Sequence, residues 1–283
     1  MSQIEIKNVS KYFGKTAALE QVSMTFEENH IYGLLGRNGA GKSTLLNLIT
    51  ARFLPDSGEI LVDGQPVWEN DAALSKIYCM SEASLFPGDM RFRDLIRWTA
   101  QFYPGFNTQY AYGLCQKFEL DPTKKLGGLS TGYTTIYKVI LALACSAPII
   151  LFDEPILGLD ANFREIFYKE LLESHNIHPR TFILSTHLIE EISHIIDRVA
   201  VLKKGSLLLC EEADSLTDRG YSVTGTARAV DDYLQGKQAL GEESLGGLKC
   251  AYLLGERIPA EPGSMLEFGK LDLQKLIIQL TNS

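Results

Sequence analysis

The segment Gly36-Arg37-Asn38-Gly39-Ala40-Gly41-Lys42-Ser43 constrains this 283-residue chain more than any other stretch. It fits G-x-x-x-x-G-K-[ST], in which the glycines let successive backbone N–H groups turn inward around a phosphate. A short apolar run, Ile31 to Leu35, leads into it, and a helical pattern from Thr44 to Thr50 leads out. Strand, loop and helix in that order are the context such a loop requires, and the helix contributes the positive end of its dipole. Lys42 is expected to reach β- and γ-phosphates and the Ser43 hydroxyl to hold Mg²⁺, with Gly36, Asn38, Gly39, Ala40, Gly41 and Thr44 around the phosphate chain. The cofactors implied are ATP and Mg²⁺.

Two further apolar runs read as buried parallel strands. Ile149 to Phe152 ends at Asp153-Glu154-Pro155, and Thr181 to Ser185 ends at Thr186-His187, after which Leu188 to Ile196 reads as a helix. Ligands of open parallel sheets gather at the carboxyl ends of the strands, so the glycine loop, Asp153 and His187 are expected to converge on one nucleotide. In that arrangement Asp153 holds Mg²⁺ through water, Glu154 orients or deprotonates an attacking water, and His187 touches the γ-phosphate. Leu129-Ser130-Thr131-Gly132-Tyr133 precedes a long apolar helix, Thr134 to Ser146. Ser130 and Gly132 there are compatible with plain capping or with an anion site.

The first 30 residues alternate apolar and polar positions, as in Ile4 and Ile6 or Val22, Met24 and Phe26, which predicts antiparallel strands with one face buried. Val199 to Leu202 and Ser206 to Cys210 read as a hairpin about Lys204-Gly205. Spaced aromatics from Arg91 to Lys125 predict a helical subdomain inserted into the α/β core. After about Asp214 the parallel pattern stops. Tyr221 to Thr226 and Lys249 to Leu254 read as strands, and Arg228 to Leu234 and Leu271 to Leu280 as helices. They form a small α+β extension expected to dock on the core.

A net charge of −8 argues against non-specific nucleic-acid binding, which needs many cations facing phosphate. The first residues lack a basic segment followed by an apolar run, so no secretory signal is expected. The longest apolar stretch, Val139 to Phe152, is too short to span a bilayer and contains Pro148. No direct lipid insertion is therefore expected. The scattered Cys79, Cys115, Cys145, Cys210 and Cys250 have no metal spacing and are expected to be reduced thiols packed as small apolar groups in a cytosol.

Taken in order, these motifs resemble the ATP-binding cassette ATPases. They match Walker A at Gly36–Ser43, a signature loop at Leu129–Tyr133, Walker B at Ile149–Glu154, a D-loop at Leu157-Gly158-Leu159-Asp160 and a switch histidine at His187. The resemblance covers about residues 2–212. It implies a P-loop α/β fold with an N-terminal antiparallel β subdomain, a parallel-sheet core and an inserted helical subdomain at about 83–130. The whole cassette would occupy 1–212 and the accessory extension 213–283.

In that family two cassettes pair head to tail, which places Ser130 and Gly132 against ATP held by a second copy and lets Asp160 link the two sites. Phe13, just before Gly14, matches the aromatic that stacks on adenine. The loop that usually carries a magnesium-touching glutamine has Tyr78-Cys79-Met80-Ser81-Glu82 here, which places Glu82 beside the metal. This departure is similar to exporters that confer self-immunity to lantibiotic peptides. The signature also has Thr131 and Tyr133 where glycine and glutamine are commoner.

A finer resemblance, carried by Phe102–Phe106, Lys117–Asp121 and the C-terminal extension, is to YtrB-like ATPases of bacterial peptide exporters, including those that export phenol-soluble modulins. It implies an ATP-hydrolysing motor at the cytoplasmic face of the plasma membrane, attached through a separate integral membrane permease. The alternatives are an importer ATPase and a soluble cassette acting on DNA or ribosomes. The interval between the two Walker motifs has no room for a repair-type coiled coil, and a single P-loop does not suit a translation-type double cassette.

Overall fold

The computed structural model describes residues 2–83, 86–257 and 265–282. Of the segments drawn above, Met1, residues 84–85, residues 258–264 and Ser283 lie outside the described residues. The chain opens with β1 (Ile4–Phe13) and β2 (Thr16–Phe26), paired antiparallel with Ile4 opposite Phe26 and Ile6 opposite Met24. This register puts the alternating apolar residues on one buried face, as the period-2 pattern requires. Strand β3 (Ile31–Leu35) is buried at every position and feeds α1 (Lys42–Ile49) through the glycine loop. Strands β4 (Ser57–Val62) and β5 (Gln65–Pro66) complete a four-stranded sheet of order β2-β1-β4-β5. Helix α2 (Asp71–Leu74) and strand β6 (Ile77–Met80) follow.

The aromatic-rich insert forms α3 (Phe92–Phe102) and α4 (Thr108–Lys117), and an antiparallel bridge between Arg91 and Lys125 closes it at its base. Helix α3 buries Phe92, Leu95, Ile96 and Thr99, the single face that a 3.6-residue period produces. A short 3₁₀ turn at Leu126–Gly128 leads to α5 (Thr131–Ala144), which starts at Thr131 rather than Thr134 because Ser130 caps it. Then come β7 (Ile149–Asp153), α6 (Ala161–Ile177), β8 (Thr181–Thr186) and α7 (Ile189–Ile192).

The single helix expected over Leu188–Ile196 is corrected, since only Ile189–Ile192 is helical. Beyond it the chain turns back: the Asp197 N–H donates to the Ile31 carbonyl and the Asp197 carboxylate accepts from the Ile31 N–H. That anchor sets up the next strand and leaves Ile195 and Ile196 in the core.

Strands β9 (Arg198–Lys203) and β10 (Ser206–Glu212) form the expected hairpin. The central sheet has the order β10-β9-β3-β8-β7-β6, parallel except for β10. Because β3, β8 and β7 are neighbours, the loops leaving their carboxyl ends are neighbours too. One apolar cluster lies on the α1, β1 and β2 side of this sheet, and a larger one lies on the α3 to α6 side.

The chain continues with α8 (Ala213–Arg219), β11 (Gly220–Thr226), α9 (Ala227–Leu234), β12 (Gly241–Leu245), β13 (Leu248–Leu254), β14 (Glu267–Lys270) and α10 (Leu273–Asn282). The four strands form an antiparallel sheet of order β12-β13-β11-β14, with Val223, Val230 and Ala251 in a small core of its own. Leu216, Leu271, Leu276 and Ile277 instead join the large core cluster together with Ile189 and Ile192 of α7. All five cysteines are free, and burial pushes the thiols of Cys79, Cys115, Cys145 and Cys210 up to about 11.

Candidate active site

The glycine loop can close only because three of its residues lack a side chain. Gly36, Gly39 and Gly41 have φ of 154°, 79° and 106°. A Cβ on Gly36 would lie 2.4 Å from the Leu202 carbonyl oxygen, and one on Gly41 would lie 2.5 Å from that of Ala18. The loop is thus pressed between β9 and β2. Its lysine turns into it: Lys42 Nζ donates to the carbonyl oxygens of Gly36 at 2.7 Å and Arg37 at 3.3 Å. The Lys42 residue is only 7% exposed. Burial lowers its pKa, and the charges of Glu154 and Asp153 oppose the shift.

The ends of β7 and β8 meet this loop. Asp153 pairs in register with Ser185, and Leu35 at the end of β3 pairs with Thr186. Asp153 Oδ1 accepts from Ser43 Oγ at 3.2 Å and from Ser185 Oγ at 3.0 Å. Burial raises the Asp153 pKa and the negative charges of Glu154 and Glu82 add to it, while the two serine hydrogen bonds work the other way.

Glu154 sits in the left-handed region at φ 50°, with its N–H donating to the Ser185 carbonyl at 2.8 Å. That turn aims the carboxylate along the end of β8, where Oε2 accepts from Thr186 Oγ1 at 2.8 Å and Oε1 lies 2.8 Å from His187 Nδ1. Non-glycine residues at positive φ are uncommon and concentrate where function requires them.

These groups border one open cavity of about 580 Å³. Thr16 to Ala18, Asn38 to Thr44, Glu82, Glu154, Leu157 and His187 line it. Gly36 and Asp153 stand just behind the lining, held through Lys42 and Ser43. Phe13 is not a lining residue. It ends β1, remains 48% exposed and packs edge-on against Phe53 at 5.7 Å.

Ser130, Gly132 and Asp160 also stand outside the cavity. Ser130 accepts the Tyr133 N–H at 3.3 Å as the α5 cap, and Asp160 accepts the Phe163 N–H at 2.9 Å as the α6 cap. Gly132 lies so close to the loop before α6 that an added Cβ would come within 2.7 Å of the Gly158 carbonyl oxygen. Thr135 Oγ1 donates to the Leu157 carbonyl at 2.9 Å, fastening the same two segments together.

The family model for ABC transporters matches residues 19–157. The ABC transporter ATP-binding protein YtrB of Bacillus subtilis is 32% identical over 215 residues, which is 76% of this chain and 74% of YtrB. The chain belongs to the ATP-binding subunits of ABC transporters. The Nod factor export ATP-binding protein I of Burkholderia lata is 29% identical over 212 residues, covering 72% of this cassette protein and 69% of that relative. A dimeric bacterial ABC transporter cassette matches at a TM-score of 0.66 and 26% identity, covering 74% of this chain and 98% of that one.

As an ABC transporter ATPase, the cassette protein binds and hydrolyses ATP. ABC ATPases dimerise and pair with membrane permeases. Among the described residues no helix is long and apolar enough to cross a membrane.

The structure also places three residues at the cassette's site that motif reading passes over. Ser185 and Thr186 hold the two acidic residues, and Lys138 of α5 holds the loop that bears Glu82. Each carries a faint sequence signal, a polar residue ending or interrupting an apolar run.

Proposed function

We propose that two copies of this cassette close on two Mg·ATP and drive a separate permease that exports amphipathic peptides. The observation that carries the motor reading is the division of the motifs. Lys42, Ser43, Glu154 and His187 line one cleft, with Asp153 held behind it by Ser43, whereas Ser130 and Gly132 of the same chain are not among the residues that line it. A site of that kind is completed by a second protomer, so bound nucleotide adds directly to the stability of the closed pair.

In this reading the backbone N–H groups from Asn38 to Thr44 cradle the phosphates, and the Lys42 ammonium exchanges the Gly36 and Arg37 carbonyls for phosphate oxygens. Ser43, Asp153 and Glu82 would hold Mg²⁺. Hydroxyl and carboxylate oxygens are the donors this ion prefers, and the mutual repulsion of Asp153, Glu154 and Glu82 is what a dication relieves. When bound, the ion supplies charge neutralisation of the phosphate oxygens. Glu154, held by Thr186 and His187, takes the proton of the attacking water, and His187 then stands beside the γ-phosphate. In this reading Phe13, exposed at the end of β1, would offer a ring for adenine, and Asp160 would link the paired sites.

A mixed dimer with Ser130→Arg in one protomer tests the composite site. Nucleotide trapping is expected to fail only at the site whose P-loop belongs to the unaltered protomer. Equal trapping at both sites overturns the reading.

We assign residues 1–212 to the cassette, with the helical subdomain at about 83–130, and 213–283 to an accessory unit. Permease docking is assigned to the exposed aromatics of α3. Trp98 and Phe102 are 52% and 76% exposed and lie along a groove of about 710 Å³ that also takes in Tyr78, Ser81, Phe86 and Tyr103. Trp98→Ser combined with Phe102→Ser is expected to reduce permease co-purification and transport at least ~10-fold, as loss of two aromatic anchors does at interfaces. Unchanged transport would remove this face from consideration.

The export direction rests on the same resemblance as the cargo, because relatives named for export and relatives named for import match the chain about equally well. The peptide cargo rests on the resemblance of residues 102–106 and 117–121 to peptide-exporter ATPases. In this chain Lys117 pairs with the buried Glu170, and Phe118 is a core residue. Lys117 and Phe118 therefore serve the packing of the helical subdomain. Peptide accumulation in inverted vesicles carrying the complex distinguishes export from import.

A further inference from the structure

Helix α5 is buried at every position from Thr135 to Ala144, and one of those positions is a lysine. Lys138 is 7% exposed, and an ammonium in such a place is costly unless its donors are used. They are used on one short segment. Nζ donates to the Ser81 carbonyl at 3.2 Å and to the Glu82 carbonyl. Burial lowers the Lys138 pKa and the Glu82 charge opposes this, so the cation and the carboxylate sense one another. The Glu82 charge is felt in turn at Asp153, which stands just behind the lining of the phosphate cavity that Glu82 borders.

We infer that Lys138 is the positioning residue for Glu82. By gripping two successive carbonyls at the end of β6, it orients the peptide planes so that the Glu82 carboxylate faces Ser43 and Asp153. Its charge also makes a glutamate tolerable beside two other carboxylates. Lys138 lies roughly two helical turns after Ser130 on the same helix. Helix α5 thereby ties the loop at one phosphate site to the signature that meets the nucleotide of the other copy. This inference rests on the reading of Glu82 as a residue of the Mg·ATP site.

The test is the affinity of the full chain for a fluorescent trinitrophenyl-ATP, measured with Mg²⁺ and with EDTA. Lys138→Met is expected to lower the Mg²⁺-dependent gain in affinity roughly 10-fold, the scale of losing charge-assisted hydrogen bonds, with the EDTA value and thermal midpoint little changed. Lys138→Gln, which keeps a neutral donor, gives a smaller loss in the same direction and serves if the methionine variant does not fold. Adding Glu82→Gln to Lys138→Met is expected to restore part of the gain, which a purely structural lysine would not permit. Asp153→Asn is the reference. If it leaves the Mg²⁺-dependent gain intact, the reading of the metal side fails. If it abolishes the gain while the Lys138 variants keep it, or lose affinity equally with and without Mg²⁺, the positioning role is overturned.

Discussion

Replacing Glu154 by glutamine is expected to cut ATP turnover by ~10²–10⁴-fold, the usual contribution of a positioned general base. The geometry makes this variant clean. Glutamine keeps an amide oxygen to accept from Thr186 Oγ1 and an amide nitrogen to meet His187 Nδ1. It is no more strained than glutamate at φ 50°. Fold and nucleotide binding should survive, so closed pairs accumulate with ATP and are visible as a dimer on sizing in Mg·ATP. Steady-state hydrolysis within twofold of the parent would show that another group activates the water.

Lys42→Met is the second large effect, and it separates binding from folding. Burial lowers the Lys42 pKa against the opposing charges of Glu154 and Asp153, and its Nζ donates to the Gly36 and Arg37 carbonyls. An apolar side chain of similar length removes both the burial penalty and the hydrogen bonds, so the thermal midpoint without nucleotide should move by only a few degrees. Affinity for ATP, in contrast, should fall by about 100-fold, the scale of losing charged hydrogen bonds to phosphate. The rise in midpoint that ATP induces in the parent should then vanish at the same ATP concentration. A full ATP-induced rise in the variant would mean the lysine does not meet the phosphates.

The phosphate loop, Asp153-Glu154 and His187 were legible from sequence because each is a short segment at the end of an apolar run. The parallel order of β3, β8 and β7 then brings those ends together. Less was legible where the partner is remote in sequence. Ser185 meets Asp153 across 32 residues and Lys138 meets Ser81 across 57, separations that no local period encodes. Helix α6 is hard to see because its inward face includes Glu170, whose burial makes sense only once Lys117 and Tyr110 are beside it. Strand β12 is polar and exposed along a sheet edge and β14 is a four-residue edge strand, so neither shows the alternation of a half-buried strand. The helix after His187 is overestimated for the opposite reason. Its isoleucines keep a helical spacing, while the Asp197 anchor to Ile31 turns the backbone out of the helix.

The close approach of Gly132 to Gly158, with Thr135 fastened to Leu157, has a kinetic consequence. The Thr135 hydrogen bond holds the segment proposed to meet the nucleotide of the other copy against the segment ending at Asp160. In the proposed head-to-tail pair each protomer would then offer its partner both contacts together or neither. A machine built of such all-or-none halves would respond to fuel as a threshold, so its ATP dose–response curve is expected to be sigmoidal rather than hyperbolic.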